Sequence, residues 1–342
     1  MTPGAEVLFG VNIGITDGKI EFISKKVPQE LPQTIIEGTG MVAMPGLVNC
    51  HTHLATSVLR CFTDDLSNKE ALEALLQKEA KMDSRSAKAA AKLSIAECLR
   101  FGVTSVSDLY YYPEATAEAV AETGIKANLA LSSYRFIDEN EEFDFETDEQ
   151  CRELERLVDK WHGYDHGRIK IDAGIYSEYT SNYPLWESLA GYASEKGLGV
   201  QLHLSETQNE VDSCLDRTGI TPGELLSCHR LFAVPATLAG CGYLTEEEAR
   251  SLGKHRTSAV ALPLADAKSG RRCAPITDLV RAGMNVALGT DGAIQAGNLD
   301  MFEVMRGAAM SVRAQKGDPS ALPSSAALMM ATFCGAQAQG RA

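Results

Sequence analysis

The chain is short of positive charge, of paired cysteines and of long apolar runs, and each shortage removes a class of function. Its 46 acidic residues outnumber 32 Lys and Arg, for a formal net charge of −14 at pH 7. Nucleic acid and acidic membrane surfaces both require a basic face, so neither is an expected partner. No apolar stretch reaches the roughly 18 residues that a membrane span needs. The opening residues, Met1-Thr2-Pro3-Gly4-Ala5-Glu6, lack the basic and apolar regions of a signal peptide, and a cytoplasmic location is the expectation. The nine cysteines are odd in number, scattered and without a CxxC pair. They read as free thiols in a reducing compartment, not as a disulfide framework.

What the chain does have is rhythm. Residues 6–45 alternate apolar and polar through Val7-Leu8-Phe9, Val11 to Ile15 and Ile20 to Ile23, with Asp17-Gly18 as a hairpin turn. This predicts a small antiparallel β domain over residues 1–43. From residue 44 onward short apolar strands alternate with helix-period stretches. Strands are predicted to begin near Pro45, Val103, Ile125, Ile169, Val200, Thr237, Ser258 and Val286. Helix boundaries fall between them: Asp83 or Ser84 caps Ala87 to Leu99, Pro113 opens the run to Thr123, and Gly197, Gly253 and Gly283 end three more. Eight strand–helix units predict a (β/α)8 TIM-type barrel over residues 44–342, with its active site at the C-terminal strand ends.

Three of those ends carry metal-type ligands. His51 and His53 lie two apart on an extended segment, so both imidazoles face the same way. Cys50, which adjoins them, is expected to face away. His203 ends the fifth barrel strand, and Asp291 follows the eighth within Gly289-Thr290-Asp291-Gly292. Three histidines and an aspartate leave a divalent ion with an open position for water, the mark of a catalytic site. The ion lowers the pKa of that water from 15.7 towards roughly 7. Glu206, three residues beyond His203, is placed to shuttle the proton to a leaving group, and Asp291 can also accept it.

These segments, Pro45 to His53, His203-Leu204-Ser205-Glu206-Thr207, and Leu288 to Gly292 with Asn298 to Glu303, resemble the amidohydrolase superfamily. Within it they are similar to the 5-methylthioadenosine/S-adenosylhomocysteine deaminases and related chlorohydrolases. The resemblance implies one divalent metal, zinc before iron(II) or manganese(II), on His51, His53, His203 and Asp291. It implies a small-molecule substrate, an aminated purine nucleoside or related heterocycle that releases ammonia. It places Glu79 at the ribose hydroxyls and Arg135 near the substrate tail.

The pattern also breaks. Where relatives carry a histidine after the sixth barrel strand, this chain has Gly240, with Tyr243 in place of a second one. Strand four ends Gly174-Ile175-Tyr176 and strand seven Ala261-Leu262-Pro263, without their histidines. Tyr176 or Tyr243 is left as a hydrogen-bond donor, with Tyr176 expected to face the substrate, and a phenol titrating near 10 is a poor base. His255 is expected at the far end of the barrel. A Gly240→His variant is expected to raise turnover if the enzyme is a weakened deaminase. The resemblance further implies that the N-terminal β domain lacks its C-terminal half, since the chain stops at Ala342, and that its edge is open to another copy in a homo-oligomer. Two alternatives stay open beside the deaminase: a vestigial metal-binding relative that binds a ligand, and a hydrolase of another carbon–nitrogen or carbon–halide bond.

Overall fold

The computed structural model describes residues 7–26, 32–66, 68–137 and 143–342. It divides into two units, residues 1–45 and 46–342. In the first, β1 (Asn12–Thr16) and β2 (Lys19–Ser24) pair antiparallel around Asp17 and Gly18, both at positive φ, the geometry an Asp-Gly hairpin favours. Val7-Leu8-Phe9, expected as a strand, forms none: its residues are exposed and unpaired by any ladder. Alternation alone does not make a strand without a neighbour to complete its hydrogen bonds.

The second unit holds eight parallel strands: β3 (Leu47–Thr52), β4 (Val103–Tyr110), β5 (Lys126–Leu131), β6 (Ile169–Gly174), β7 (Val200–Leu204), β8 (Ala236–Gly240), β9 (Thr257–Ala261) and β10 (Asn285–Leu288). They are ordered sequentially from β3 to β10. The ring is drawn together where the Asp291 N–H donates to the His51 carbonyl at 3.0 Å. Asn49 and Thr290 bond beside it, Nδ2 to Oγ1 at 2.7 Å and N–H to Oδ1 at 3.0 Å. At Gly289 a Cβ would come within 2.9 Å of the His51 backbone, so the last strand approaches the first only because that residue is glycine. The strands are buried almost throughout, as a sheet covered by helices requires.

Helices form where the sequence signals place them. Asp83 and Ser86 make a reciprocal capping box on Ser84–Arg100. Pro113 opens Pro113–Thr123, and Gly124 closes it in the left-handed conformation. Asp148 caps the helix Glu149–Trp161, its side chain accepting from the Gln150 and Cys151 N–H groups. No helix among the described residues is long and apolar enough to cross a membrane.

The N-terminal end of the barrel is closed by polar side chains. Asp172 Oδ2 accepts from Asn128 Nδ2 and Gln201 Nε2, each at 3.0 Å. Gln339 Nε2 donates to Ser107 Oγ at 3.0 Å. Arg341 donates to the carbonyls of Gly167 and Ala127 and to Asn128 Oδ1 at 2.7–3.1 Å. The last residues of the chain therefore stopper the barrel floor.

Candidate metal centre and active site

At the opposite end, β3, β7 and β10 deliver the predicted ligands to one point. His51 and His53 point to the same side at the end of β3, while Cys50, just before them, turns outward and donates to the Gly335 carbonyl. One ligand atom each from His51, His53, His203 and Asp291 lies within 4.8 Å of the others, and all four residues are buried. His51 Nε2 is 3.1 Å from His203 Nε2, and His53 Nε2 is 3.1 Å from Asp291 Oδ1.

The remaining nitrogens fix which lone pairs face inward. His53 Nδ1–H donates to the Leu109 carbonyl at 2.6 Å, and His203 Nδ1–H to the Tyr176 carbonyl at 2.9 Å. Both rings then present a bare Nε2 to the centre, the arrangement typical of metal-bound histidine. A buried set of imidazole nitrogens and a carboxylate oxygen calls for a cation, and this donor set suits a divalent transition metal. Without one, protons share the site. Burial and the neighbouring rings hold His51 well below an ordinary imidazole, and burial lowers His203. Burial also works against a charged His53, but the Asp291 carboxylate prevails and pushes it up to about 9. Burial alone would raise Asp291; the hydrogen bond and charge of His53 instead hold it well below the usual carboxylate range.

The turns after these strands are tightly set. Ser205, Cys241 and Asp291 all have positive φ, which non-glycine residues seldom adopt. The Ser205 and Glu206 N–H groups each donate to the Glu210 carboxylate at 2.8 Å, and burial pushes Glu210 up to about 7. Glu206 is buried beside the cluster, with Oε1 accepting from Arg271 Nη1 at 2.7 Å. Burial pushes Asp266, the next carboxylate along, up to about 8. Neither Arg271 nor Asp266 carried a sequence signal. Both lie on the segment after β9 where the expected histidine is missing.

The other predicted residues are spread around this centre. The Tyr176 ring lies 4.7 Å from that of His203. Glu79, half-buried at the end of Asn68–Glu79, accepts from the Tyr110 hydroxyl, and the Tyr110 ring is 5.9 Å from that of His53. Arg135 is tied by Nε to Asp148 Oδ2 at 2.7 Å, at the start of Glu149–Trp161. His255 occupies the turn before β9, at the stoppered end. Gly240 has a backbone conformation that bears on the variant considered above. Its φ is +90°, and a Cβ would lie 3.1 Å from both Cβ and Cγ of Glu206. A histidine there would be strained and would press on Glu206, so Gly240→His is expected to lower turnover, not raise it.

Comparison with known proteins agrees with this geometry. The amidohydrolase family model matches residues 42–342, and the chain belongs to that family. It is 33% identical over 334 residues to a 5-methylthioadenosine/S-adenosylhomocysteine deaminase of Caldanaerobacter subterraneus subsp. tengcongensis, spanning 97% of this chain and 76% of that one. A zinc-bound adenosine deaminase from Xanthomonas campestris superimposes with a TM-score of 0.81 at 30% identity, over 87% of this chain and 67% of that one. An atrazine chlorohydrolase from Arthrobacter aurescens, complexed with zinc, shares the fold with a TM-score of 0.86 at 24% identity, over 97% and 78% of the two chains.

Proposed function

We propose that this chain is a metal-dependent hydrolytic deaminase of an aminated purine nucleoside or related heterocycle. The observation that carries the reading is the convergence of His51, His53, His203 and Asp291 on one point, with the Glu206 carboxylate buried alongside. The deaminase names of the similar proteins support the carbon–nitrogen bond as the target.

One zinc ion is the cofactor, held by those four residues; when bound, it lowers the pKa of a water at the site and polarises the reacting carbon's surroundings. The protein supplies the rest. Glu206 takes the water proton and delivers it to the ring or the departing amine, which completes ammonia release without free hydroxide. Asp291 Oδ1 is turned toward His53, leaving Oδ2 as a second acceptor. Tyr176 lines the wall beside His203 and donates to the substrate from a phenol that burial keeps protonated. Glu79 takes the sugar hydroxyls and Arg135 the more distant tail.

The test is ammonia release by metal-reconstituted protein across aminated purines, nucleosides, pterins and triazines, with metal content measured on the same sample. Release that falls by about 10²–10⁴-fold in Glu206→Gln is the expected result. The ion pair on Glu206 favours one other reading, a relative that binds its ligand without turning it over. No release from fully metallated protein would shift the weight to it, and halide release from triazines would point to the chlorohydrolase chemistry.

A further inference from the structure

A proton shuttle works only if its carboxylate stays where the proton is needed, and a glutamate on a turn has several rotamers open to it. Two features of this chain close them. The first is the bare α-carbon of Gly240, which leaves the Glu206 side chain a seat that a Cβ, 3.1 Å from its Cβ and Cγ, would crowd. The second is Arg271, whose side chain is only 14% exposed. Its Nη1 donates to Glu206 Oε1 at 2.7 Å, its Nε lies 3.3 Å from Asp266 Oδ1, and its Nη2 lies 3.7 Å from Asp291 Oδ2. Nε and Nη2 complete no hydrogen bond among the described residues. The main chain that carries it is anchored: the Arg271 backbone N–H donates to the Asp266 carbonyl at 2.8 Å, at the helix Pro263–Lys268.

We propose that Arg271 is a positioning residue for the reaction: seated against Gly240, Glu206 is held by the guanidinium in the one orientation from which it passes a proton to the substrate. This rests on the deaminase reading above. A planar guanidinium suits the task because its fork reaches several oxygens at fixed angles, whereas an ammonium is a single point charge. It also explains how a site can do without a side chain at Gly240. The guanidinium arrives from the segment after β9 and grips the same carboxylate from another side.

The experiment compares wild type, Arg271→Met, Arg271→Lys, Glu206→Gln and the Glu206→Gln/Arg271→Met double variant. Ammonia release is measured on zinc-loaded protein and melting temperature on zinc-free protein. A misplaced reacting group costs on the order of 100-fold. Arg271→Met should therefore lower kcat by about 100-fold with KM within about threefold, and Arg271→Lys should recover about tenfold of that loss. In the Glu206→Gln background the same Arg271→Met change should alter kcat less than about twofold, because no carboxylate is left to position. Equal losses in both backgrounds, or a lysine variant no better than methionine, would overturn the proposal. If the wild type turns over none of the substrates, the deaminase reading fails while the melting temperatures still judge the pair. Arg271→Met should then melt lower than the double variant, and strictly additive losses would refute the contact. Should Arg271→Met not fold, Arg271→Gln enters the same comparison in its place.

Discussion

At the N-terminal end of the barrel, Asn128, Asp172, Gln201, Gln339 and Arg341 match donors with acceptors. At the C-terminal end, His51, His53, His203 and Asp291 turn lone pairs toward a common centre. Both ends are lined by buried polar groups, and a buried polar group must find a partner. Apart from Gln201 Oε1, the floor groups named here find their partners within the chain, so the floor stabilises the barrel. The top turns its nitrogens and oxygens toward one point, an arrangement that could hold a cation. Arg271 stands between the two solutions, an internal cation that satisfies Glu206 without filling the centre.

This contrast can be broken from either end. The largest effect is expected from His203→Ala, which should reduce bound zinc below about a tenth of the wild-type content, since one of few ligands is lost. Full metal retention, measured by atomic absorption, would remove His203 from the ligand set. Next comes Glu206→Gln, which should keep its zinc and lose ammonia release by about 10²–10⁴-fold, the usual worth of a positioned acid–base group. At the floor, Asp172→Ala should leave metal content unchanged. It should cost about 3 kcal/mol in chemical denaturation, because Asn128 and Gln201 lose their shared acceptor. A floor variant that lost zinc would show that the two ends are not separate. The smallest stability effect is expected for Gly240→Ala, about 1–2 kcal/mol from strain at positive φ. It should also lower turnover as Glu206 is displaced; wild-type turnover in this variant would argue against the seat.

Adding zinc to metal-free protein sharpens the same contrast. Binding to the folded state alone should raise the melting temperature of wild type and of Asp172→Ala alike, and should leave that of His203→Ala nearly unmoved.

Much of this was legible in the chain. The eight barrel strands begin within about two residues of where apolar runs and glycine stops place them, because a parallel strand covered on both faces must be apolar along its length. His51 and His53 declare their shared side by the two-residue strand period alone. Val7 to Phe9 shows where pattern reading fails, since a strand exists only with a partner. Gly240 shows another limit: read as a missing histidine, it is also a left-handed residue packed against Glu206, and φ is not written in residue type.

The amino-acid sequence by itself determined the repeat, the helix ends and the metal-type residues, because these depend on local periodicity, capping chemistry and ligand identity. Only the tertiary structure decided that Arg271 would meet Glu206 and that Gln339 and Arg341 would stopper the floor. Those contacts join residues from different strand–helix units. Their partners are chosen by the closing of the barrel, which brings distant strand ends within hydrogen-bond reach and which no local pattern records.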